Sequence, residues 1–216
     1  MKKWAILAFL CISVTAFAVP DIEFADGASP GGWLYDGSNT FSFTPPITIT
    51  DVQGSGTDAL NSQFVHLPNF VISDYTVIGA GMATATVTPQ GPLQIWNTQD
   101  QTGTKLLDAD FIGSGSFLAY FTAGNMYAQV NPDLVVTNVN NTISSGLLGT
   151  INVDTLLGFT LTLNHESSFT SFMYQSPSQS ASDGFSGQLN IIPEPMTMSL
   201  MGIGGLILAG KRNFRK

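Results

Sequence analysis

The stretch Thr40-Phe41-Ser42-Phe43-Thr44-Pro45-Pro46-Ile47-Thr48-Ile49-Thr50-Asp51-Val52 decides the fold class. On both sides of the proline pair, apolar residues recur at every second position, the period of a strand whose successive side chains face opposite sides of a sheet. A helix would need apolar residues three and four apart, and two adjacent prolines would break it. Phe41, Phe43, Ile47, Ile49 and Val52 are the inward candidates. Val52 stands three positions after Ile49, so it shares their face only if a bulge inserts one extra residue between them.

The same reading extends outward along the chain. Before this stretch, Asp21 to Asn39 is rich in Gly, Pro and Asp, and is expected to be irregular with at most a short strand at Trp33 to Tyr35. After it, Gln53 to Ala59 is a Gly-bearing turn. Strand-like runs then follow at Gln63 to Leu67, Asn69 to Ser73, Tyr75 to Gly79, Ala83 to Thr88 and Leu93 to Trp96. The second half continues with Lys105 to Phe111, Gly115 to Thr122, Met126 to Val130, Leu134 to Val139, Gly149 to Val153, Phe159 to Leu163, Ser168 to Tyr174 and Phe185 to Ile192. Pro, Gly, Asp or Ser bounds most of these runs, as expected of strand ends and turns. Asn141 to Leu157 has room for a helical turn or two, and Gln175 to Asp183 is polar enough for a long loop. Short strands spaced about 8 to 12 residues apart predict an all-β, antiparallel sandwich or jelly roll rather than alternating βαβ units.

Charge narrows the function. Of seven Lys and Arg, only Lys105 lies between residues 19 and 195, against all fifteen acids, a formal charge of −14 for that span. One cation cannot neutralise a run of phosphates, so nucleic-acid binding is excluded. Direct ion pairing with an acidic polysaccharide is excluded for the same reason, leaving neutral glycans or cation-bridged contacts.

The two ends of the chain carry addresses. Lys2 and Lys3, the apolar run Trp4 to Val14, and the small residues Ala16 and Ala18 form a secretory signal peptide over residues 1–18, cut after Ala18. Its partners would be the Sec translocon and signal peptidase. Cys11, the sole cysteine, falls inside the apolar run behind Phe9 and Leu10, where a lipidation signal needs small residues. The exported chain is therefore expected to fold without disulfides.

At the other end, residues 193–216 hold Pro193-Glu194-Pro195, the apolar run Met196 to Gly210 and the basic cluster Lys211, Arg212, Arg215 and Lys216. As a helix the run would reach roughly 22 Å, short of a hydrocarbon core of about 30 Å. Positive charge after it places the C-terminus on the cytoplasmic side and the preceding chain outside. This order resembles the PEP-CTERM sorting signal of Gram-negative bacteria, with Asn213 and Phe214 interrupting a basic cluster that often runs continuously. The resemblance covers these 24 residues and nothing in 19–192. It implies recognition of Pro193, Glu194 and Pro195 by an exosortase, a transient stay in the inner membrane, removal of the tail, and delivery to the cell surface or extracellular matrix.

Catalytic signals are weak in what remains. His165-Glu166 lacks the second histidine, one helical turn on, that a zinc protease helix needs, and His66 is the only other histidine. Gly113-Ser114-Gly115-Ser116 reads as a turn between strands rather than a nucleophile elbow. Nothing selects a carboxylate pair for a glycosidase. No organic cofactor is expected. Asp36-Gly37-Ser38-Asn39, Asp108-Ala109-Asp110 and Asp183-Gly184 are the candidate oxygen ligands for a structural calcium ion. Flat aromatic faces for stacking on a sugar could come from Trp33, Tyr35, Tyr75, Trp96, Tyr120, Tyr127 and Tyr174, with Trp33 and Tyr35 the best candidates for an exposed glycan-contacting pair. The expectation is a non-catalytic, exported surface or exopolysaccharide-matrix protein, structural or adhesive in a biofilm or envelope. The alternatives are a carbohydrate-binding module for neutral glycans and, behind it, a secreted hydrolase.

Overall fold

A computed structural model describes residues 21–26, 32–36, 38–52, 58–79, 81–122, 125–165 and 181–192. The expected signal peptide and the expected sorting tail fall outside them, as do Glu166, Ser168 to Tyr174 and Gln175 to Ser180.

Every strand pairing among the described residues is antiparallel. The strands are β1 (Asp21–Asp26), β2 (Gly32–Tyr35), β3 (Thr40–Thr44), β4 (Ile47–Val52), β5 (Phe64–His66), β6 (Phe70–Gly79), β7 (Met82–Pro89) and β8 (Leu93–Trp96). They continue with β9 (Lys105–Phe111), β10 (Gly115–Thr122), β11 (Asn125–Asn131), β12 (Asp133–Val139), β13 (Leu156–His165), β14 (Ala181–Asp183) and β15 (Phe185–Ile191). A single 3₁₀ turn at Leu148–Thr150 occupies part of the segment where the sequence left room for helix, and it replaces the strand expected over Gly149 to Val153.

All fifteen strands belong to one sheet, and part of it closes on itself. The order β12-β9-β8-β5-β4-β1-β15-β13 returns to its start because β12 also pairs with β13, giving an eight-stranded barrel. Closure takes place beside Pro132. Ahead of it, β11 pairs with the far half of β13, Val130 opposite Leu161; beyond it, β12 pairs with the near half, Leu134 opposite Leu157. One edge of β13 thus pairs with two successive strands. β11, β10, β7, β6, β3, β2 and β14 continue from it as an extension. The expected sandwich is thereby corrected: the walls around the core are one continuous sheet, because a strand interrupted by a proline changes partners without ending.

The deciding stretch forms β3 and β4, with a cis Pro45-Pro46 peptide between them. Phe41, Ile47, Ile49 and Val52 are buried, and Phe43 is partly buried against them. The bulge that Val52 requires is present. Opposite β1, Asp51 faces Glu23 and Ile49 faces Phe24, leaving Thr50 as the extra residue.

Inside the barrel, Ile22, Phe24, Ile49, Val65, Ile95, Val136, Phe159 and Leu189 are buried. The extension contributes Trp33, Tyr35, Phe41, Phe70, Val87 and Phe117. Phe70 joins the two groups edge-on: Phe43 of β3 lies 5.3 Å away, Phe111 of β9 5.6 Å and Phe159 of β13 6.0 Å between ring centroids. Such tilted aromatic pairs add to simple area burial.

Candidate functional site

The structure removes the leading glycan candidates. Trp33 is 1% exposed and Tyr35 0%, whereas Leu34 between them is 45% exposed. β2 lies between β3 and β14, so strand alternation sends both rings to one face, and that face is the core. The Trp33 indole donates to the Gly184 carbonyl at 3.1 Å, and both rings pack on Phe41, at 5.7 and 4.9 Å. Burial pushes the Tyr35 phenol well above its ordinary acidity range, with the Asp36 carboxylate adding to the effect. The exposed pair expected from the Gly-rich surroundings is a buried one.

Trp96 is half-buried on the outer face of β8. Its indole donates to Gln94 Oε1 at 3.1 Å, Gln94 Nε2 donates to Asp108 Oδ1 at 3.2 Å, and the Lys105 ammonium donates to Asp108 Oδ2 at 2.6 Å. The same ammonium stands 5.6 Å from the Trp96 ring centre. The one cation of the span is therefore committed to a carboxylate and a ring. Beside this network, the Gln101 amide lies 2.6 Å from His66 Nδ1, and burial lowers the basicity of His66 so that the ring is neutral at physiological pH. His165 ends β13, opposite Met126 of β11. Tyr75 is partly buried against the core, and Tyr120 faces Tyr127 across β10 and β11.

Two of the candidate calcium ligands, Asp36 and Asp108, hydrogen-bond within the chain. Asp36 Oδ1 accepts from the backbone N–H groups of Ser38, Asn39 and Thr40 at 2.8, 3.0 and 3.0 Å, closing the β2–β3 turn. Asp108 holds Lys105 and Gln94, while Asp110 lies opposite Val135 on the barrel wall. Asp183 lies in β14, opposite Trp33 of β2. Among the described residues no three His, Cys, Asp or Glu gather where they could hold a metal ion. Gly113 (φ +70°) and Ser114 form the β9–β10 turn, and the Ser114 hydroxyl lies 3.1 Å from that of Thr88.

The backbone donors hold the Asp36 carboxyl below its ordinary value of 3.8. Because the folded value is depressed, its contribution is fully present above the unfolded value and fades as pH falls toward the folded one. Asp36→Ala should therefore lower the melting temperature at pH 7 by a few degrees, and by clearly less near pH 3. Equal losses at the two pH values would contradict the turn-closing role.

A second polar surface carries no contiguous sequence motif. On the outer face of β4, β1, β15 and β13, an open groove of about 260 Å³ is lined by Glu23, Thr50, Thr160, Thr162, Ser186 and Gln188. Two cross-strand rows build it. Glu23 faces Gln188, which faces Thr160; Ala25 faces Ser186, which faces Thr162. Gln188 also donates from Nε2 to Asp21 Oδ2. The signal was the alternation of Asp21-Ile22-Glu23-Phe24-Ala25, hidden by the neighbouring Gly-rich segment.

No protein-family model matches the chain, and no curated protein or solved structure shows significant similarity to it. Among the described residues no helix is long and apolar enough to cross a membrane.

Proposed function

We propose that the protein is an exported, non-catalytic component of the cell surface or of an exopolysaccharide matrix, sorted by an exosortase through its C-terminal tail. One observation carries this reading: Pro193-Glu194-Pro195, the run Met196 to Gly210, and Lys211, Arg212, Arg215 and Lys216 follow one another in the order such a substrate needs. A signal peptide cut after Ala18 completes it, and a helical form for residues 1–18 and 196–210 belongs to the same proposal. The strongly acidic composition of the span between the two addresses supports an exported, solvated module rather than a nucleic-acid binder. The carbohydrate-binding alternative loses the Trp33–Tyr35 pair as its platform, since both rings are buried.

The test is the mass and location of the mature protein in its native host. Cells with the exosortase should yield a surface or matrix form lacking residues 1–18 and the segment after Pro193-Glu194-Pro195. Cells without the enzyme, or carrying Glu194→Ala with Pro195→Ala, should retain the full tail in the inner-membrane fraction. A tail that stays uncut in the presence of the enzyme would make Met196 to Gly210 a permanent anchor and end the matrix reading.

A further inference from the structure

We infer that the outer-face groove of β4, β1, β15 and β13 is a binding site for a short segment of neutral polysaccharide. The inference depends on the matrix reading only for where such a polymer would be met; the chemistry of the groove stands by itself.

Its lining begins with hydroxyls. Thr50, Thr160, Thr162 and Ser186 make no side-chain hydrogen bond with the described residues. Elsewhere the protein uses such groups internally: Thr84 donates to the Phe117 carbonyl, Thr137 to the Asp108 carbonyl, and Thr150 to the Leu147 carbonyl. A concentration of uncommitted hydroxyls around one depression suits a ligand that is itself made of hydroxyls, each able to donate and accept. Gln188 adds a planar amide and Glu23 a carboxylate to the lining.

The floor is small and partly apolar. Ala25 presents only a methyl group, and Gly187 has no side chain because the Phe24 ring fills the space beneath it. A sugar ring can lay its C–H face on such a floor while its hydroxyls reach the rim. The bulge in β4 brings Thr50 to the rim, since it is the residue skipped between Asp51 and Ile49 in the register with β1.

The same features exclude other occupants. The lining residues include a carboxylate and no cation, which opposes an anionic ligand. β1, β13 and β15 have partners on both sides, so no strand edge is open there for an extended peptide to join. The volume accommodates one or two sugar units, so each engagement is weak and retention relies on the many equivalent repeats that a polymer presents to the one groove.

Affinity electrophoresis of the full-length chain in non-ionic detergent tests this, using gels cast with galactomannan, hydroxyethylcellulose or dextran, and with polygalacturonate as the charged comparison. At least one neutral polymer should retard the protein, and polygalacturonate should not. Thr162→Val and Ser186→Ala should each weaken retardation about fivefold, and together on the order of twentyfold, with Thr162→Ser largely restoring it. Trp96→Ala should leave it unchanged. Absence of retardation in all three neutral gels would overturn the assignment. So would retardation indifferent to the groove variants, or retardation lost with Trp96→Ala, which would move the site to the β8 face. Correct tail processing without retardation would remove the groove assignment alone, whereas retardation with an uncut tail would remove the sorting reading alone.

Discussion

Phe70→Ala is expected to lower the unfolding free energy by about 3–5 kcal/mol and the melting temperature by on the order of 10 °C. Phe70 is almost completely buried, and its neighbours come from both parts of the sheet. Phe43 belongs to the extension, while Phe111 and Phe159 line the barrel on β9 and β13. Phe159 also stacks on Phe24 at 6.1 Å, so the contact chain reaches β1. Truncation would leave a ring-sized void between walls that cannot easily collapse, because each is fixed by its own hydrogen-bond ladder. Phe70→Leu should cost about 1–2 kcal/mol, since most of the volume is kept. Ile78→Ser, at an exposed position on the β6 strand, should stay within about 0.5 kcal/mol of the parent. Thermal and urea unfolding of the three variants measures these values. A loss below about 1 kcal/mol for Phe70→Ala would mean that the extension is not packed on the barrel through this ring.

The strands themselves were legible because alternation is a local signal. Leu93–Trp96, Lys105–Phe111 and Gly115–Thr122 have the bounds that the sequence predicts, and the bulge before Val52 follows from simple counting. The departures have identifiable causes. β1 reads as irregular because acids disfavour strands on average, yet Ile22 and Phe24 alternate with Asp21 and Glu23 in a way that burial rewards. β6 reads as two runs divided at Asp74, a residue that here adopts φ +53° within a single strand whose register with β7 shifts between Ser73 and Thr76. β14 reads as part of a loop because Ala181 to Asp183 lacks large apolar residues; its pairing is with β2, far away in sequence.

Which face of a strand is buried is not a local property. Trp33 and Tyr35 share a face by alternation, but that this face is the core is decided by β3 and β14 on either side of them. Barrel closure is equally remote, since it depends on β12 meeting both β9 and β13. The groove belongs to the same class. Its polar residues come from four strands between Glu23 and Gln188, and only the register gathers them. The proposed sorting tail is the opposite case, since its three parts are contiguous in sequence and the proposal needs no fold.

Asp58→Ala is expected to cost about 2–4 kcal/mol, through a different mechanism from the loss of a ring. Asp58 is 6% exposed, and its carboxylate accepts from two backbone donors. Oδ1 accepts from the Leu60 N–H at 2.9 Å, within its own turn, and Oδ2 accepts from the Leu147 N–H at 3.1 Å, in the connection between β12 and β13. Both segments lie at the same end of the barrel, where Leu60, Leu147, Leu148 and Ile151 are buried. One carboxylate thus fastens two loops whose apolar side chains cover that end of the core. Removing it strands two buried N–H groups, each with its desolvation cost unrecovered. Asp58→Asn keeps one acceptor oxygen, so it should retain about half of the contribution and leave one donor facing another. Amide exchange separates this loss from a uniform one. In Asp58→Ala the Leu147 N–H should exchange faster than the amides of β13 and β15, because the loops can open while the ladder beneath them persists. If Leu147 remains as protected as those strands, the carboxylate is not what holds the two loops together, and the burial of Leu60 and Leu148 alone closes this end of the barrel.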